Sequence, residues 1–80
     1  MTDIASDVRD VVADESGLER AALLPTDDLA ADHGVDDLDL MKIAMRLEEV
    51  FGVEVSDEAF QEEPTVAKCI ELVCARLSAA

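Results

Sequence analysis

The chain contains no tryptophan and no tyrosine, and only two phenylalanines, Phe51 and Phe60. An aromatic core is therefore excluded, and the interior must be built from Leu, Val, Ile, Met and Ala. Glycine and proline are also scarce, at three and two residues. Together with that aliphatic palette, this favours helices over a sheet. Basic residues are few. Six Lys and Arg face 20 Asp and Glu, for a net charge of −14. A surface of that sign repels nucleic acid and anionic membrane, so neither is expected as a partner. It attracts proteins that carry basic patches. No run of apolar residues is long enough to span a membrane, and the acidic start Met1-Thr2-Asp3-Ile4 does not resemble a signal peptide. Half of the residues are apolar and they recur periodically, which argues against disorder despite the charge.

Only two cysteines are present, Cys69 and Cys74. Five residues on a helix turn the second side chain roughly 140° away from the first, so they should face different ways and remain unbridged. Small apolar thiols in a reducing, cytoplasmic setting are the expected reading. The single histidine, His33, has no serine or cysteine beside it and reads as a loop residue rather than a catalyst. No glycine-rich phosphate loop exists. The chain is not expected to be an enzyme. Asp32, Asp36, Asp37 and Asp39 lie close together, but the twelve-residue calcium-loop pattern does not fit them, and no metal is expected.

At 80 residues the chain forms one domain, residues 1–80, with a modest core. Ile4, Val8, Val11 and Val12 mark a first helix over 3–16, capped by Thr2 or Asp3 and stopped at Gly17. Residues 18–36 form a connection anchored by Leu18, Leu23, Leu24 and Leu29, with a turn at Pro25 and a short helical piece that Thr26 could cap. A second helix runs from Asp37 to Val50 and stops at Gly52. Asp36 or Asp37 caps it, and acids there complement the helix dipole. Leu40, Ile43, Ala44, Leu47, Val50 and Phe51 form its core stripe, while Leu38, Met41 and Met45 form a second, offset stripe. Val53-Glu54-Val55 alternates like a strand but has no strand to pair with, so it reads as an extended linker. Ser56 caps a short third helix ending near Gln61, with Ala59 and Phe60 facing inward. Thr65, after Pro64, caps a last helix over 66–77 whose core face is Val66, Cys69, Ile70, Val73 and Leu77, and residues 78–80 are expected to fray.

The run Asp32-x-Gly34-x-Asp36-Asp37-Leu38-Asp39, followed by an amphipathic helix ending Leu47-Glu48-Glu49-x-Phe51-Gly52, resembles the acyl carrier proteins. The likeness extends to Ile4–Gly17, to Val55-Ser56-Asp57-Glu58 and to Thr65-Val66, and so covers nearly the whole chain. It implies an all-α, four-helix bundle of three longer helices and one short one. It also implies a carrier of acyl thioesters on a 4′-phosphopantetheine arm, acting in fatty acid, lipid or polyketide biosynthesis. In the family the arm hangs from the serine of an Asp-Ser-Leu motif. The corresponding position here is Asp37, which lacks the hydroxyl that attachment requires, so no arm is expected. His33 replaces a leucine common before the glycine, and Lys42 and Arg46 add positive charge to a helix that is usually more acidic.

Two origins fit Asp37: an engineered replacement that holds the protein unmodified, or natural divergence, which Lys42 and Arg46 favour. A monomer is expected, and the resemblance further implies that its second helix receives acyl-transfer or acyl-chain-modifying enzymes with basic patches. Asp36, Leu38, Asp39, Met41, Met45, Glu48 and Glu49 are the expected contact residues. The alternative is a non-carrier regulatory or structural subunit that uses the same fold.

Overall fold

A computed structural model of the chain describes residues 3–78. Three long helices form the frame: α1 (Ile4–Ser16), α3 (Asp37–Phe51) and α5 (Val66–Ser78). Two short ones, α2 (Leu29–His33) and α4 (Asp57–Glu62), lie in the connections, and a single 3-10 turn spans Arg20–Ala22. The described residues include no strand. α1 packs on both α3 and α5, and α4 packs on α3. The bundle thus has the expected three long helices and short α4, with α2 as an added turn of helix in the first connection.

Each helix starts where a side chain can satisfy its free N–H groups. Asp3 accepts from the N–H of Ala5, and Asp28 from those of Ala30 and Ala31. Asp36, Ser56 and Thr65 cap α3, α4 and α5 in the same way. Such caps contribute about 0.5–2 kcal/mol each. The cap of α2 is Asp28, not Thr26, which is exposed. Thr2 and residues 79 and 80 lie outside the described residues, whereas Ser78 still belongs to α5.

The core is aliphatic, as the composition requires. Val8 and Val12 of α1, Leu40, Ile43 and Leu47 of α3, and Val66, Cys69 and Val73 of α5 meet there around Phe60 of α4. Burial pushes the Cys69 thiol up to about 12, because a thiolate would lose its hydration. Cys74 is half-buried, and both cysteines are free.

Three residues expected inside are not. Leu24 is 58% exposed. Leu23 has extended backbone, so its side chain and that of Leu24 point to opposite sides, and Leu23 takes the interior. Val50 is 47% exposed. α1 stops at Ser16, and its Glu15 pairs with Arg46 at 3.8 Å, one turn short of Val50. Leu77 falls in the last turn of α5, beyond the core, and is 37% exposed. Leu72, absent from the expected stripe, is half-buried and packs on the core.

The first connection is held by backbone as well as by leucines. Leu29 N–H donates to the Pro64 carbonyl at 2.7 Å, and Ala67 N–H to the Pro25 carbonyl at 2.9 Å. These bonds fasten the segment before α3 to the start of α5. His33 ends α2, where its Nε2 lies 3.0 Å from Asp27 Oδ2. The His33 hydrogen bond, aided by the Leu24 N–H, holds the Asp27 carboxyl below its ordinary value. His33 is therefore a structural partner of the loop. No helix among the described residues is long and apolar enough to cross a membrane.

Candidate functional site

The start of α3 is placed by the three residues before it. Gly34 closes α2 with φ 69, a left-handed conformation that glycine adopts without penalty. Val35 is buried, and its N–H donates to the Leu29 carbonyl at 3.0 Å. Asp36 is the cap: its Oδ1 accepts from the Asp39 N–H at 2.9 Å. Asp37 is then the first helical residue and is exposed. It adds negative charge where the helix dipole favours it, but the capping bond belongs to Asp36.

The second stripe of α3 lies on the outside. Leu38, Met41 and Met45 are 59%, 43% and 58% exposed. At i, i+3 and i+7 they form one row along the helix, beginning next to Asp37. The inward stripe of Leu40, Ile43, Ala44 and Leu47 is buried. The exposed apolar side chains are thus aligned in a row rather than scattered.

The acids around this row differ in their commitments. Asp36 and Glu49 are exposed, and Asp39 is half-buried. Glu48 is tied down: its Oε2 accepts from the Val55 N–H at 2.9 Å, which holds the extended 53–55 segment against α3. It supports the linker first and leaves one oxygen for anything else. Glu49 pairs with Arg46 at 3.2 Å.

A shallow open groove of about 210 Å³ borders the row, lined by Glu15, Lys42, Met45, Arg46 and Glu49. Glu15 comes from α1, so no periodicity within α3 could have pointed to it. The described residues include no group of three or more His, Cys, Asp or Glu arranged to hold a metal ion.

Residues 6–73 match the family model described as "Phosphopantetheine attachment site". The chain is also 36% identical over 70 residues to the acyl carrier protein of Solidesulfovibrio magneticus, an alignment covering 88% of this chain and 90% of that one. The chain belongs to the acyl carrier protein family. Acyl carrier proteins are carriers and not catalysts, in keeping with the absence of a catalytic constellation in the sequence. The family's cofactor is 4′-phosphopantetheine.

Among the described residues, the hydroxyls of this carrier-family chain are engaged or placed elsewhere. Ser16 donates to the Val12 carbonyl, Ser6 accepts from Arg20, and Ser56 and Thr65 cap α4 and α5. Ser78 closes α5, and Thr26 lies in the loop before α2. The first turn of α3 presents only carboxylates, an apolar side chain and backbone.

Proposed function

We propose that this chain is a carrier-family domain that engages acyl-handling enzymes of fatty acid, lipid or polyketide biosynthesis through the outer face of α3, without bearing the arm itself. The supporting observation is the exposed row of Leu38, Met41 and Met45 beginning beside an exposed carboxylate, Asp37.

Attachment of the arm needs a hydroxyl oxygen that attacks the pyrophosphate of coenzyme A and becomes part of a phosphodiester. A carboxylate oxygen at that position would form an acyl phosphate anhydride, which water cleaves. Asp37, with Asp36 and Asp39 beside it, also repels an approaching phosphate. The residues present therefore do not fit the group. What remains is recognition. The net charge of −14 speeds encounter with basic surfaces. Leu38, Met41 and Met45 then supply apolar area to bury, and methionine adapts its shape to different partners. Asp36, Asp39 and Glu49 supply charge at the rim, with Glu48 contributing its free oxygen. On this proposal the chain acts as a monomer in the cytoplasm, where its two free thiols would stay reduced.

Mass spectrometry after incubation with coenzyme A and a phosphopantetheinyl transferase tests this directly. The unaltered chain should gain no mass, and Asp37→Ser should gain one arm. Modification of the unaltered chain would overturn the assignment of Asp37. Failure of both would favour the regulatory or structural subunit over a docking domain for acyl-handling enzymes. With the Asp37→Ser chain as substrate, Asp39→Lys with Glu49→Lys should raise the transferase KM. An unchanged KM would count against docking on this face. Asp36 and Glu48 are left intact in that test because each makes a structural bond.

A further inference from the structure

The docking face of α3 is not uniformly acidic, and the exception is local. Lys42 follows Leu38 by four residues and precedes Met45 by three, so it touches the apolar row from the side. Arg46 lies one turn further on, also at four residues' spacing. Two cations so placed repel each other mildly. Arg46 is compensated on both sides, by Glu15 at 3.8 Å and Glu49 at 3.2 Å. Lys42 lines the same groove but forms no ion pair among the described residues, although carboxylates abound on this chain. Glu15 and Glu49 therefore cancel Arg46 and Lys42 in formal charge, and the groove beside Met45 is neutral on a protein of net charge −14. At the other end of the row, Asp36, Asp37 and Asp39 carry three negative charges that form no ion pair among the described residues.

We infer that the docking face is bipolar and selects a partner of mixed charge: basic groups opposite the start of α3, an apolar side chain over Met41 and Met45, and a carboxylate opposite Lys42. This rests on α3 being the docking helix. A uniformly basic patch would be drawn in by the overall field, but on contact it would leave Lys42 facing a like charge. At physiological ionic strength the Debye length is about 8 Å, so the overall field is largely screened and the contacting charges decide. Lys42 is thus a specificity determinant, rejecting wholly basic surfaces that the rest of the protein would accept.

Two synthetic amphipathic helical peptides of equal length and equal net charge test the inference. Both carry the same apolar face and the same lysines at one end. One places a glutamate at the register facing Lys42. The other places a lysine there and moves the glutamate to its solvent side. Binding is followed at physiological salt by the methyl resonances of Met41 and Met45. The mixed-charge peptide should bind about two- to fivefold more tightly, the range an exposed ion pair supports. Lys42→Glu should reverse the order, and Lys42→Met should abolish the difference while leaving both peptides bound. Equal binding of the two peptides, or an order unchanged by Lys42→Glu, would overturn the bipolar face and leave docking on α3 intact. Failure of either peptide to perturb Met41 and Met45 would overturn both.

Discussion

Leu38 and Leu40 stand two residues apart on α3, yet Leu38 is 59% exposed and Leu40 only 2%. Two residues turn a helix by roughly 200°, so neighbours of identical chemistry reach opposite faces. The inner face is covered by α1, α4 and α5, and its leucines and isoleucine are enclosed. The outer face carries a comparable set of apolar groups, and no element among the described residues covers it. The inner face stabilises the monomer. The outer face leaves apolar area in water. The charged residues divide similarly. Asp36 and Glu48 are structural through a cap and a linker bond, whereas Asp37 and Lys42 form no ion pair among the described residues.

The sharpest way to break this contrast is to truncate one residue on each face. Leu47→Ala should cost about 2–5 kcal/mol in urea unfolding, as a fully buried leucine does. Met45→Ala should stay within about 0.5 kcal/mol, because its site is already wet. Similar losses for the two would mean that the outer row is packed in solution. The glutamate pair offers a second comparison. Glu48→Ala leaves the partly buried Val55 N–H without an acceptor and should cost about 1–3 kcal/mol. Glu49→Ala removes only an exposed pair with Arg46, worth about 0–1 kcal/mol.

At the helix start, Asp36→Ala should lower stability by about 0.5–2 kcal/mol through loss of the cap. Thermal melting of Asp36→Ala beside Asp37→Ala checks this; the larger drop at position 37 would assign the cap to the wrong aspartate. The smallest effect concerns pH. The folded Asp27 carboxyl titrates below its ordinary value of 3.8, so it contributes stability that is present above that value and lost as the pH falls through the folded one. The stabilising effect of Asp27 relative to Asp27→Asn should therefore shrink as the pH falls below 3.8. A difference that stays constant into acid would remove the charge from the His33 contact.

Much of the frame was legible in the residues. Leu40, Ile43, Ala44 and Leu47 declared the inner face by period, and Asp36, Ser56 and Thr65 declared helix starts by type and position. The resemblance puts Asp37 where the family's motif has a hydroxyl, and the structure places it, exposed, in the first turn of α3. Leu24, Val50 and Leu77 misled, since each is apolar and suitably spaced, yet no neighbouring element reaches it. Spacing reports which way a side chain points and not what stands opposite.

Local pattern by itself determined the helices, their caps and the chemistry available at position 37, because period and side-chain bonding act within a few residues along the chain. Tertiary structure alone decided which of the two apolar rows of α3 would be covered. It also decided that Glu48 would hold the linker, and that Glu15 would cross from α1 to compensate Arg46, with Lys42 left without an ion pair among the described residues. Those outcomes depend on contacts between segments far apart in the chain, where helix ends and packing, not sequence spacing, fix what each side chain meets.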